Sequence, residues 1–309
     1  MGDQENDLCF AGVSATGDPA RGVRRELNKV YSVGKTYLHE WHSELANLRG
    51  DVTVLCVGMD VGGFPQNLQK DFRERNVEFS GKVIGVDFDP VRIQRLKHAF
   101  REDAHFSFLV DDPAALKFAA GFRVGRTELV PKGAFDIAIC TYALHDTDVK
   151  NPDRALQGLA RALKADGFCM VATHARGSFP ELLELYRQAC LAEGLRVQAR
   201  APFAHFDNFA QEDARQRLER WFGAVTFDDI DTSLRFDGSR PDALDKFMQY
   251  SDYFPYPALG SEAVSAAQRT SVRTRIYDKA AERMERDKYL HISKPSGVFL
   301  CTEPRCETR

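Results

Sequence analysis

The chain has 309 residues, 43% hydrophobic and 28% charged, which fits one enlarged globular domain better than two full enzymes. A net charge of −3 offers no basic footprint for nucleic acid. No apolar run approaches the roughly 18–20 residues of a membrane span, and the acidic start MGDQENDL lacks the plan of a signal peptide. None of the seven cysteines form a CxxC pair; Cys56, Cys140 and Cys169 lie inside apolar runs, so buried thiols in a cytoplasmic setting are expected, without metal or disulfide.

In chain order, helical spacing of Val30, Leu38, Trp41, Leu45 and Leu48 predicts one or two helices within about 21–48. A first strand is expected over Val52–Val57, with a helix starting near Pro65, and a second strand over Lys82–Val86. Asp89-Pro90 supplies an N-cap and first-turn proline for a helix carrying Val91, Ile93, Leu96 and Phe100. Strands follow over His105–Val110, Phe135–Cys140 and Phe168–Thr173. Between the last two, Asn151-Pro152 opens a helix that Gly167 is expected to cap. Another helix runs from about Pro180 to Glu193. Beyond Gly194 the rhythm changes: a polar helix over Gln211–Phe222, a strand over Ala224–Phe236, a helix with Leu244, Phe247 and Met248, a helix over Glu262–Asp287, and a last strand over Gly297–Cys301.

Strands interleaved with helices of this length predict an α/β fold: a doubly wound, mostly parallel, seven-stranded Rossmann-like sheet. The two late strands would pair antiparallel at one edge, and added helices would cover the cleft. Three parts are expected: an N-terminal helical cap (1–50), an α/β ligand-binding core (51–175) and a C-terminal part completing the sheet (176–309).

The apolar run VTVLCVGMDVGG and the second run KVIGVDFDP end in Gly58, Gly62, Gly63 and Asp87. Glycines at a strand–helix turn and an acid closing the next strand suit a nucleotide-like ligand. Gly58-Met-Asp-Val-Gly62 departs from G-x-G-x-x-G, which argues against a nicotinamide dehydrogenase. Asp89 is accounted for as an N-cap, which leaves Asp87 for the ligand.

Taken with FLVDDPAALKF and FDIAICTYALHDTDVKNPDRALQGLARALKADGF, these segments resemble the class I S-adenosylmethionine-dependent methyltransferases over roughly Asp51–Ala175. The first loop departs from the family, with Cys56 where its first acid stands and Asp60 where its middle glycine stands. The resemblance implies S-adenosylmethionine as cofactor, held by Gly58, Asp60, Gly62, Asp87 (ribose hydroxyls), Phe88 (beside the adenine), Asp112 (adenine amino group), Pro113 and Thr141. Asp60 is equally a surface loop residue, and Asp112 an N-cap before Pro113.

Tyr142, His145 and His174 follow the fourth and fifth strands at the crevice mouth and are the candidate catalytic residues. Tyr250, Tyr253, Phe254 and Tyr256 are candidates for an apolar substrate pocket. The expected activity is methyl transfer to an O or N nucleophile of a small organic molecule, with specialised metabolism as one setting. Methylation of a peptide or protein side chain, and a non-catalytic cofactor-binding scaffold, are the alternatives, and a homodimer stays open.

Overall fold

The computed structural model describes residues 51–59, 65–66, 68–69, 79–111, 123–124, 128–129, 133–145, 151–197, 203–253 and 264–305. The expected N-terminal helices, Phe254 and Tyr256 lie outside these residues, as does the side chain of Tyr253.

The strands are β1 (Thr53–Val57), β2 (Lys82–Asp87), β3 (Phe106–Val110), β4 (Phe135–Thr141), β5 (Leu163–His174), β6 (Phe222–Asp231), β7 (Leu234–Asp237), β8 (Tyr289–Ile292) and β9 (Pro295–Pro304); residues 123–124 and 128–129 form a further short ladder. The helices are α1 (Pro90–Ala99), α2 (Pro152–Ala162), α3 (Pro180–Ala192), α4 (Gln211–Leu218), α5 (Ala243–Tyr253) and α6 (Ala266–Asp287).

Seven strands join in the order β3-β2-β1-β4-β5-β9-β6. The pairs from β3 through β5 are all parallel, while β9 runs antiparallel to β5 and β6 lies outermost. Strand order reverses between β1 and β4, and at such a switch point the carboxyl ends of the strands leave a crevice for a ligand. Both faces of β1 are covered, which is why its sequence reads as an unbroken apolar run. Leu55 and Val57 share a core with Ala155, Leu156 and Leu159 of α2, whereas Val54 and Cys56 share one with Ile93 and Leu96 of α1.

The helix starts predicted at Asp89-Pro90 and at Asn151-Pro152 hold. The Asp89 carboxylate accepts hydrogen bonds from the Val91 and Arg92 N–H groups, and the Asn151 side chain accepts one from Arg154 N–H. Gly167 is a correction. The α2 helix ends at Ala162, Leu163 is already extended (φ −75°, ψ 147°), and Gly167 lies inside β5. There it passes the Phe135 and Asp136 carbonyls so closely that a Cβ would stand 2.9 and 3.0 Å from them. Contact with a neighbouring strand, not helix capping, requires this glycine.

The expected strand over Ala224–Phe236 divides in two. After Asp231 the chain turns, with Ser233 N–H donating to Asp231 Oδ1 at 2.9 Å, and Leu234 begins a separate ribbon in which β7 pairs antiparallel with β8. The polar helix predicted over Gln211–Phe222 stops at Leu218.

The chain divides into two compact units. One holds the seven-stranded sheet with α1, α2 and α4. The other, from 177–205 and 231–295, holds α3, α5, α6 and the β7–β8 ribbon. In this second unit α6 starts at a capping box between Ser265 and Gln268. It buries Val272, Ile276, Ala280 and Met284 on one stripe and turns most of its charged residues to solvent. Tyr250, expected in a substrate pocket, is instead core: it is 1% exposed and packs against Phe179 and Phe236. No helix among the described residues is long and apolar enough to cross a membrane.

Candidate active site

Asp87 is the last residue of β2 and is 1% exposed. Its Oδ2 accepts a hydrogen bond from Met59 N–H and its Oδ1 one from Asp89 N–H, both at 2.9 Å. Arg92 Nη1, one helical turn into α1, stands 3.4 Å from each carboxylate oxygen. Elimination at the sequence level leaves Asp87 without a structural task; the structure gives it three partners. The neighbouring Phe88 ring is half-buried, with the Arg92 guanidinium carbon 5.3 Å from its centroid. A carboxylate held by backbone donors beside an aromatic ring is a set that fits a ribose diol and a purine.

Gly58 follows β1 with φ +77°, and its N–H donates to Val86 O at 3.0 Å. A Cβ there would fall 2.3 Å from the Cβ of Ala143, so the close approach of the loop after β4 already demands glycine. Cys56 lies within the α1-facing core, its thiol pushed well up by burial, with a smaller contribution from Cys140. In place of the family's acid, the chain has a neutral core side chain. Asp60, Gly62, Gly63, Asp112 and Pro113 lie outside the described residues.

At the ends of β4 and β5 the structure brings three predicted residues together. Thr141 closes β4 opposite Ala172. Tyr142 then takes a left-handed conformation (φ 55°), with its N–H donating to Ala172 O at 2.8 Å, a turn an L-residue adopts at a cost of about 1–2 kcal/mol. The Tyr142 ring stacks on His174 at 4.3 Å between centroids, and the two imidazoles, 7% and 8% exposed, are 5.4 Å apart.

Three partners of this group escaped sequence reasoning. Phe206 sits edge-on to His145 at 4.8 Å and 5.0 Å from His174. Ser296, directly opposite His174 on β9, shares a 2.8 Å hydrogen bond with His174 Nδ1. Thr173 donates its hydroxyl proton to Phe209 O at 2.6 Å and lies 3.4 Å from His145 Nδ1. That proton being committed, the Thr173 oxygen can meet His145 Nδ1 only as an acceptor, an arrangement that favours the tautomer with its proton on Nδ1.

The segment bearing Phe206 and Phe209 is pinned from α4. Arg217 donates to Asn208 O at 2.6 Å, pairs with Asp153 at 3.0 Å and lies over the Phe209 ring. The backbone N–H of Arg176, just past β5, donates to the Glu212 carboxylate.

Residues 55–171 match the family described as a methyltransferase domain. No curated protein matches the chain. Among solved structures the chain is similar to the YcgJ protein of Bacillus subtilis, with 15% identity and TM-score 0.49 over 87% of this chain and 98% of that one. It is similar to the cyclase SpnF, with 15% identity and TM-score 0.48 over 89% and 88%. A third similarity is to phosphoethanolamine N-methyltransferase 2 of Haemonchus contortus in complex with S-adenosyl-L-methionine, at 11% identity and TM-score 0.48 over 96% and 60%. The matched region spans β1 to β5 and so includes the switch point: this part of the chain is a methyltransferase domain, and S-adenosylmethionine is its cofactor.

Proposed function

We propose that this enzyme methylates an oxygen or nitrogen nucleophile of a small organic molecule, with His145 taking the nucleophile's proton. The observation that carries the proposal is the bond from Thr173 to Phe209 O, which turns the Thr173 oxygen to His145 Nδ1 as an acceptor and so favours Nε2 as the basic nitrogen. The bound cofactor supplies an electrophilic methyl carbon on its sulfonium. The protein's part is then to align the nucleophile with that carbon, keep water out and accept a proton.

Asp87, Phe88, Gly58 and Thr141 are assigned to the cofactor, together with Asp60, Gly62, Asp112 and Pro113. On the acceptor side, His174 and Tyr142 stack as one wall and Phe206 forms another. Buried rings packed around His145 suit a small acceptor better than a peptide chain, whose flanking residues need an open groove.

Incubation with methyl-labelled cofactor in a metabolite extract tests the acceptor class. Label is expected in small molecules; label confined to protein bands would transfer the assignment to peptide methylation. His145→Gln is expected to lower kcat about 10²- to 10⁴-fold at unchanged cofactor affinity. Wild-type turnover in that variant would remove the base.

A further inference from the structure

We propose that Arg92 competes with the cofactor for Asp87 and thereby sets cofactor affinity: the guanidinium stands on the carboxylate that the ribose hydroxyls need, and they displace it toward Asp89. The inference rests on the ribose role proposed above for Asp87.

An ionised carboxylate has about four lone-pair sites. On Asp87 two are taken by the backbone N–H groups of Met59 and Asp89. The remaining acceptor capacity is what a vicinal diol needs, and Arg92 Nη1 occupies it from 3.4 Å to both oxygens. The same guanidinium covers Phe88, so one side chain stands where both ribose and adenine are assigned.

The two ends of the guanidinium are held unequally. Charge-assisted N–H···O bonds usually run about 2.7–2.9 Å, so the 3.4 Å contacts to Asp87 are slack, whereas Nε lies 3.1 Å from Asp89 Oδ2. Asp89 belongs to the N-cap of α1 and stays in place whatever Arg92 does. Rotation about the outer bonds of Arg92 can therefore release Asp87 while the contact with Asp89 persists. The Arg92 side chain is 16% exposed, enough to give it somewhere to go.

Calorimetric titration of the full chain with S-adenosylhomocysteine tests this, comparing wild type, Arg92→Met, Arg92→Gln and Asp87→Asn. Removing the competitor is expected to tighten binding about fivefold in Arg92→Met, the size of one partly screened ion pair. Arg92→Gln, which keeps a polar stem should the Met variant fold poorly, is expected to move the same way. Added salt, which screens the pair, is expected to tighten binding by the wild type and leave both variants flat. Unchanged or weaker binding by the Arg92 variants, with Asp87→Asn still strongly impaired, overturns the competition and leaves the ribose role standing. Wild-type binding by Asp87→Asn overturns that role and this proposal together.

Discussion

Cys169 and Cys301 face each other across the antiparallel pair of β5 and β9, and neither side chain reaches solvent. Burial pushes the Cys301 thiol up to about 12, and Cys169 well above the usual thiol range, with Cys301 itself adding to the effect. Cys140, one strand further in, is likewise raised to about 12 by burial. A thiol whose folded-state pKa exceeds its unfolded value contributes stability that is fully present below the unfolded value near 9 and is lost as pH rises toward the folded one. Each such thiol costs about 1.4 kcal/mol per pH unit in that window. The urea midpoint is therefore expected to stay level from neutral pH to about 8.5 and to fall steeply above about 9.5. Cys140→Ala should flatten part of that fall; a midpoint unchanged at high pH would refute the assignment.

Gly58 is expected to be intolerant of substitution even in an assay without ligand. Gly58→Ala places a Cβ 2.3 Å from that of Ala143 at φ +77°, combining a clash with a left-handed backbone. A loss of about 2–4 kcal/mol is expected in thermal unfolding. The double variant with Ala143→Gly should recover the part due to the clash and none of the part due to φ. Equal stability of Gly58→Ala and wild type would show that the loop relaxes freely.

These two cases show where the sequence is legible. Val54 to Val57 announce a doubly covered strand because both faces meet apolar neighbours, and Asp89-Pro90 announces a helix start because its chemistry is local. Gly167 misleads because a glycine after an apolar-periodic run looks like a helix cap, while its real constraint comes from carbonyls some thirty residues earlier. Asp87 stands out as an acid ending a strand, but its partner Met59 is 28 residues away in sequence. The match of Ser296 to His174 spans 122 residues and exists only through the β5–β9 register. Patterns with a local cause can be read from sequence; the second partner of a polar side chain is set by tertiary pairing.

In the second unit, Tyr186 on α3 donates its hydroxyl proton to Ser251 O at 2.5 Å, and burial raises the phenol above its ordinary range. Tyr186→Phe leaves that carbonyl without the phenol and is expected to cost about 1–3 kcal/mol. Because the folded-state pKa is raised, the wild-type contribution is present below about pH 10 and is lost above it. Chemical denaturation at pH 8 and at high pH should therefore show the variant's deficit shrinking as pH rises. A deficit that grew with pH would contradict the sign.

Thr173 is the residue through which the proposed chemistry can be separated from simple packing. Its hydroxyl ties Phe209 O to β5 and presents an acceptor to His145 Nδ1, so it positions the base without touching substrate. Thr173→Val keeps the shape and removes both interactions. Stability should drop by about 1–3 kcal/mol through the unpartnered carbonyl. If the hydroxyl fixes the tautomer, kcat should also fall, by about tenfold or more, since a general base acts only with its lone pair toward the proton it takes. Thr173→Ser restores the hydroxyl and is expected to recover most of kcat. Cofactor affinity should stay at the wild-type value in both variants, because Asp87 ends, and Phe88 follows, a different strand. A kcat loss in Thr173→Val that serine fails to rescue would make Thr173 a packing residue and leave His145 without its orienting partner.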